Sequence, residues 1–514
     1  MWHPTELSMW MEDLWRWAVG QGLRVFWVGG TVRDLLLGRK SPDADVAVQI
    51  PEAARWADII ADFQRMVAAR GDSVVVLQAE KRAYRWVLKG PRAGGKGPNV
   101  LPPTPYARST DRWVDVVFFE GPIGHELARR DFTINAMAIE WTGPVLSHGS
   151  WLMGDDYEPS AIRPEAVIDP WGGRSDLERG ILRVVRPENL WDDPVRIVRA
   201  YRLAAQLGFQ IEPTTRQYLA LEMPALTTVP GERLHVEILK WLMAPHADVW
   251  IQAADEDDLW ETLFPDVGSM KGCEQGGYHH KDVWGHTLEV VQAVSWVVET
   301  LGSDDRLRDL VRQARETPFA MDFPRYPFLK LAALLHDVGK PYVRSVRRPG
   351  IYAFIGHAEA GARIVDGLLE RLRLSHLARD WVRWLVRYHM VPLEAWKAMG
   401  LGPSAAYLLR RFGPEAPWLA ILAAADQFGK AGPRMEARRR DEFVDLARRV
   451  AERVLWGSPE EWTFPLRGAD LVEGLGLPPG PAVGRLLERL RRDWERGRFH
   501  TRAEGLAYAR RLNP

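Results

Sequence analysis

The 514-residue chain has one cysteine, Cys273, which rules out a disulfide framework and every multi-cysteine zinc pattern and suits a reducing cytosol. Any bound metal must rest on histidine and carboxylate. There is no surplus of either charge. Lys+Arg and Asp+Glu both number 68, so global charge advertises no polyanionic partner, and a nucleic-acid surface has to be local. No run of eighteen apolar residues occurs, and short ones such as Leu331 to Leu335 end in charge, which excludes a transmembrane helix. The first 23 residues carry Glu6, Glu12 and Asp13 among tryptophans and lack the basic-then-apolar order of a secretory signal, so a cytoplasmic location is expected. Repeats of fixed period and low-complexity tracts are also missing.

What is present is ordinary globular material, 46% hydrophobic and 26% charged. At about 150 residues per domain, the length predicts three or four units. The 24 tryptophans mostly stand singly at helical spacings, as Trp10, Trp15 and Trp17 or Trp381 and Trp384 do, which favours core packing over a cofactor box.

The first part reads as mixed strands and helices. Val25 to Val28 is β-prone, Gly29-Gly30 turns the chain, Val32 to Leu37 has helical spacing, and Asp43 to Val48 alternates as a strand. Val74 to Leu77, Tyr84 to Leu88 and Trp113 to Phe119 are further strands, interrupted by the Gly/Pro-rich loop Gly90 to Pro105. Trp141 to Glu165 reads as a mobile surface insertion. From Asp192 onward helical periodicity dominates. The Arg-rich helices Ala437 to Arg453 and Val483 to Arg498 read first as solvated faces and second as RNA contacts.

Asp43 and Asp45 lie two apart on a strand, so both carboxylates share a face and together can hold divalent cations. Gly29-Gly30 opens the helix carrying Arg33. Glycines let backbone N–H groups approach phosphate oxygens, and a helix start favours negative charge, so a triphosphate fits there. Asp115 interrupts the apolar strand Val114-Asp115-Val116-Val117, where a carboxylate is otherwise unfavourable. It is a natural third catalytic acid, with an edge-strand charge as the alternative. Two metals roughly 4 Å apart would serve the attacking hydroxyl and leaving pyrophosphate of a phosphoryl transfer.

VGGTVRDLLLG with Asp43-Ala44-Asp45, then ARRDFTINAMA, DPWGGRSDLERGILR and DDPVRIVRAYRLAAQLGF, resembles the class II tRNA nucleotidyltransferase and bacterial poly(A) polymerase family in the family's own order. The resemblance implies an α+β protein. A small mixed α/β nucleotidyltransferase head (residues 1–165) would be followed by a mostly α-helical neck (166–265), an HD body (266–435) and a helical tail (436–514). It implies Mg2+ on Asp43 and Asp45, triphosphate and ribose contacts from Arg130 and Asp131, a nucleotide-binding place for Asn135 in the same motif, and base reading by Asp193 and Arg196. Base reading has independent chemical support. Cytosine and adenine both offer an exocyclic amine beside a ring-nitrogen acceptor, which an aspartate and an arginine three residues apart on a helix can meet from one face. Asp193 before Pro194 is also a good N-cap with proline at the first helical position. Arg199 and Arg202 continue that face toward phosphates. Glu232 and Arg233 match the motif that follows and are expected to buttress. The expected substrates are CTP and ATP and the expected partner is tRNA, with no protein partner indicated.

His286 in HKDVWGHTLEVV, His336-Asp337 in LLHDVGKP and Asp426 in AADQFGK reproduce the H…HD…D order of HD-domain phosphohydrolases. Imidazole and carboxylate ligands suit a transition metal such as Mn, Co, Ni or Fe, and His357 and His389 could complete a second site. Val116 to Ala128 is shorter than in full CCA-adding members and resembles the CC-adding ones. The reading is therefore CMP/AMP addition to tRNA 3′ ends with a possible HD phosphohydrolase activity. The alternatives are poly(A) polymerase and an HD hydrolase whose head only binds RNA.

Overall fold

The computed structural model describes residues 4–39, 44–51, 56–79, 82–88, 112–142, 166–433, 435–436 and 438–512. Asp43, the loop Gly90 to Pro105 and residues 143–165 of the expected insertion lie outside them. The chain divides into two compact units, Met1–Val229 and Pro230–Pro514.

The first unit is built on a seven-stranded sheet of β1 (Arg24–Val28), β2 (Ala44–Ile50), β3 (Ser73–Gln78), β4 (Ala83–Leu88), β5 (Arg112–Glu120), β6 (Ala138–Glu140) and β7 (Val167–Ile168), in the order β3-β4-β5-β2-β1-β6-β7. Only β2 and β5 pair in parallel within this sheet. That pairing requires a long crossover, which here includes the hairpin β3-β4. β2 is covered on both faces, so Ala44, Val46, Ala47, Val48 and Ile50 are all buried, and the simple alternation expected for this strand gives way to a central-strand pattern.

One face is closed by rings. Trp10, in helix Pro4–Gly20, meets Trp27 and Trp86 edge-on at 6.3 and 6.0 Å. Phe63, in helix Trp56–Ala69, lies 5.3 Å from Phe118. The tryptophans named here are core residues, as their spacing suggests. Truncating one such as the fully buried Trp86 should cost about 3–5 kcal/mol. The other face packs Phe26, Ala47 and Phe119 under Leu127, Ala136 and Val185. Asp45 and Asp115 share the strand parity of Ala47, Val117 and Phe119, so the acids stand at one end of that strip.

The second unit is mostly helical, as expected. Its exceptions among the described residues include the exposed two-stranded hairpin Ser345–Arg348 and Ile351–Ala353, turned by Pro349-Gly350. The Arg-rich helices run Arg438–Trp456 and Pro481–Glu495; the first buries a stripe of Phe443, Leu446, Ala447 and Val450 and keeps charge outward. No helix among the described residues is long and apolar enough to cross a membrane.

Candidate functional sites

In the first unit the sheet register does what sequence spacing alone cannot. Asp45 pairs directly with Asp115 across the parallel β2-β5 ladder, and Asp115 in turn opposes Arg85 on β4. Neighbouring strands are about 4.8 Å apart, so the two carboxylates stand side by side on one face. β5 is an interior strand, which removes the edge-strand alternative for Asp115. Its two oxygens accept from Arg85 Nε and Nη2 at 2.7 and 2.8 Å, a bidentate pair that balances one of the two negative charges. Thr31 Oγ1 accepts from the Asp45 backbone N–H at 2.8 Å and ties the start of β2 to the glycine turn.

Gly29 adopts φ 67°, ψ −139° before the short helix Gly30–Leu36. A Cβ at Gly29 would lie 2.5 Å from Arg130 Nη1 and 2.8 Å from Asp45 Oδ2. The turn thus brings a backbone, a carboxylate and a guanidinium together, an arrangement only glycine allows. Behind it runs a buried polar chain. Arg33 donates to Asp34 Oδ1 at 2.8 Å and to Asn135 Oδ1 at 2.9 Å; Asn135 donates to Asp131 Oδ1 at 3.0 Å; Arg199 donates to Asp131 Oδ2 at 3.0 Å. Burial opposes ionisation of Asp131, but Arg199 and Arg196 overcome it and hold the carboxyl well below the usual range.

Asp193 and Arg196 approach to 3.8 Å. Arg196 also donates to the carbonyls of Asn189 and Arg129, each at 2.9 Å. The helix here is Val195–Leu207, with Pro194 at the cap position and no side-chain capping bond, so it opens one residue later than the N-cap reading requires. The Nε atoms of Arg130 and Arg196 are buried without hydrogen-bond acceptors, leaving donors in the same region. Arg202 donates to Gln206 at 2.8 Å. Glu232 and Arg233 fall in the second unit, at the start of helix Gly231–Leu242.

Some organising residues were not found from sequence. Asn189 donates to the carbonyls of Ala128 and Arg130 at 2.9 and 2.7 Å and pins the RRD turn. Asp169 accepts from Gly173 and Arg174 N–H, and a Cβ at Gly173 would clash with the Thr133 carbonyl. The DPWGG pattern is visible in the sequence, but its purpose emerges only with the docked turn.

In the second unit, four histidines converge on two buried carboxylates. His286 Nε2 lies 3.0 Å from Asp426 Oδ1 and 3.7 Å from Asp337 Oδ2, and His336 Nε2 lies 3.1 Å from Asp337 Oδ2. His357 Nε2 and His389 Nε2 lie 3.5 and 3.7 Å from Asp337 Oδ1 and 3.2 Å from each other. Asp337 therefore faces two histidines with each oxygen, in the manner of a bridging ligand. Two ligand groups result: His286, His336 and Asp426, and Asp337, His357 and His389, all buried.

Each ring points its Nδ1 at a backbone carbonyl: His286 at Gly429, His336 at Ala333, His357 at Phe354 and His389 at Val386, all at 2.7 or 2.8 Å. These contacts assign the neutral-ring proton to Nδ1 and aim four Nε2 lone pairs inward. Two lone pairs 3.2 Å apart, and another 3.0 Å from a carboxylate oxygen, repel unless cations lie among them, so the residues fit divalent metal. Burial pushes His286 and His357 down and His389 down to about 3, which keeps them neutral. Burial also opposes the charge on His336, but Asp337 outweighs it and raises that ring. Despite burial, His336 and Lys340 hold Asp337, and Lys430 holds Asp426, well below the carboxylate range. Lys340 and Lys430, which no sequence pattern singles out, each touch one of these carboxylates.

Fold and sites together define a two-centre protein: an acid-and-glycine head of nucleotidyl-transfer type, and a histidine–aspartate pocket in a helical unit. Residues 25–183 match the model of the "Poly A polymerase head domain", 208–270 that of the "Probable RNA and SrmB- binding site of polymerase A", and 283–428 that of the "HD domain". A CC-adding tRNA nucleotidyltransferase from Thermus thermophilus is 31% identical over 94% of this chain and 92% of its own. An A-adding tRNA nucleotidyltransferase from Deinococcus radiodurans is 30% identical over 94% of each chain. The solved Thermotoga maritima CCA-adding enzyme complexed with tRNA shares the fold, with a TM-score of 0.52 at 19% identity, over 99% of this chain and 95% of that one. The chain belongs to the tRNA nucleotidyltransferase and poly(A) polymerase family and carries an HD domain.

Proposed function

We propose that this protein is a cytoplasmic enzyme that adds CMP or AMP to the 3′ end of tRNA without a nucleic-acid template, releasing pyrophosphate. The observation that carries the reading is the in-register Asp45-Asp115 pair beside the Gly29 turn and Arg130. Asp43 and Asp45 would hold Mg2+, which when bound neutralises phosphate charge and activates the attacking hydroxyl. Asp115 is the third acid. Gly29, Gly30, Arg33 and Arg130 receive the triphosphate, buried Asp131 and Asn135 with half-buried Arg199 support it from behind, and Asp193 with Arg196 reads the base edge. Neck, body and tail, in the four-part division of the chain given above, would hold tRNA.

The HD pocket supports a second activity, hydrolysis of a phosphate ester at a transition-metal pair, on the strength of the four inward Nε2 atoms. The test is incubation of the full chain with tRNA lacking its 3′ end and each NTP separately, with Asp45→Ala as control. CMP or AMP incorporation lost in the control is expected. Long A tracts would favour poly(A) polymerase, and no incorporation with intact esterase activity would favour the hydrolase.

A further inference from the structure

The last turn of the helix Ala416–Phe428 and the two residues after it grip a single imidazole at both nitrogens. Gly429 O accepts from His286 Nδ1 at 2.7 Å, while Asp426 Oδ1 sits 3.0 Å from Nε2. Gly429 has φ −68°, which any residue adopts, so its small size is needed for approach and not for conformation. A Cβ there would lie 2.7 Å from His286 Nδ1 and 2.7 Å from Val290 Cγ2.

The other oxygen of Asp426 is held from behind. Lys430, two residues past the helix end, reaches back to place its ammonium on Asp426 Oδ2, and Gln427 donates to the same oxygen at 3.0 Å. Lys430 is only 8% exposed. Burying an ammonium is costly without a partner, and its ion pair is with this carboxylate. Arg440 caps the arrangement by donating to the Lys430 carbonyl at 2.6 Å. The carboxylate plane is thus fixed, with Oδ1 left facing His286 and, at 3.8 Å, His336.

We propose that Lys430 and Gly429 are positioning residues of the HD metal site: the lysine locks the plane of Asp426 so that Oδ1 is presented to a divalent cation, and the glycine carbonyl locks the His286 tautomer that presents Nε2. This rests on the reading that the pocket binds metal. The electrostatic contribution of Lys430 has the opposite sign, since its charge repels a cation. Orientation and charge therefore predict opposite outcomes.

The experiment strips the full-length protein with chelator and titrates Co2+, following both affinity and the visible spectrum that reports coordination geometry. Lys430→Met, which fills the space without a donor, should weaken Co2+ binding by at least about tenfold and change the spectrum. Lys430→Arg, which keeps a donor, should stay within about threefold, and Gly429→Ala should behave like Lys430→Met. Urea unfolding of each variant, followed by far-UV circular dichroism, reports that the second unit is folded. Equal or tighter binding in Lys430→Met, or Lys430→Arg as weak as Lys430→Met, would overturn the positioning role. Failure of the unmutated protein to take up Co2+ would remove the metal reading itself, and this inference with it.

Discussion

Gly29→Ala gives the sharpest test of the head. The backbone at φ 67°, ψ −139° is all but reserved for glycine, so alanine costs of order 1–3 kcal/mol before any contact is counted. The new Cβ falls 2.5 Å from Arg130 Nη1 and 2.8 Å from Asp45 Oδ2, where ordinary contacts begin near 3.4 Å. One or both groups must retreat by roughly 1 Å, a displacement that costs about 100-fold in rate when it moves reacting groups. A hundredfold corresponds to about 2.7 kcal/mol of barrier. Gly30→Ala is the matched control, because its Cβ would meet nothing closer than Arg33 Nη2 at 3.5 Å. Single-turnover CMP incorporation and urea unfolding on the same preparations separate the two effects. If Gly29→Ala lost stability as expected yet incorporated CMP within threefold of wild type, Asp45 and Arg130 would not be the groups that act on the nucleotide.

Three further outcomes are expected. His336→Ala with Asp337→Ala should abolish bound transition metal and any phosphoesterase activity while sparing nucleotide addition, since the two centres use separate ligands; metal analysis and both assays check it. Asp193→Ala or Arg196→Ala should raise UTP and GTP misincorporation more than it slows transfer, and the Arg196 change should also lower stability by about 1 kcal/mol, because two backbone carbonyls lose their donor. Asp131 has its folded-state carboxyl held below the unfolded value, so its contribution to stability is present above about pH 4 and fades as pH falls through the depressed value. Denaturant unfolding should therefore show the gap between wild type and Asp131→Asn constant from pH 5 to 8 and shrinking on acidification; a gap that grew with acid would reverse the assigned sign.

Local patterns were legible and long-range pairing was not. The strands Val25 to Val28 and Trp113 to Phe119 stood out by β-propensity, and period-two spacing put Asp43 and Asp45 on one face. Nothing in the text aligned Asp45 with Asp115, or Asp115 with Arg85, because register between strands far apart in sequence is set by packing of the whole sheet. The hairpin Ser345–Arg348 and Ile351–Ala353 gives no strand signal in the sequence because both strands are short and the first is half charged. The histidines and aspartates of the HD pocket were found by their order. Lys430 and Gly429 were not, since a lysine and a glycine at a helix end carry no signal until the end is docked on His286.

The choice between C and A turns on the chain between Asp115 and Arg130. β5 runs to Glu120, and Gly121-Pro122 lead straight into the helix Ile123–Leu127. The Arg130 N–H then bonds back to the Leu127 carbonyl at 3.1 Å. Phe118, Phe119 and Leu127 are buried, so the connection is anchored at both ends and has no slack to serve as a lever. The pair proposed to read the base is equally fixed, with Arg196 held by two backbone carbonyls. A single rigid pocket can accept either amine-bearing base, but changing from C to A after two additions needs a part that moves. The expected products with CTP and ATP together are therefore CC ends with little terminal A. Relatives of both specificities exist, so product sequencing decides: abundant CCA ends would refute the argument from the short connection, and A added only to tRNA already ending in CC would assign the pocket to the other base.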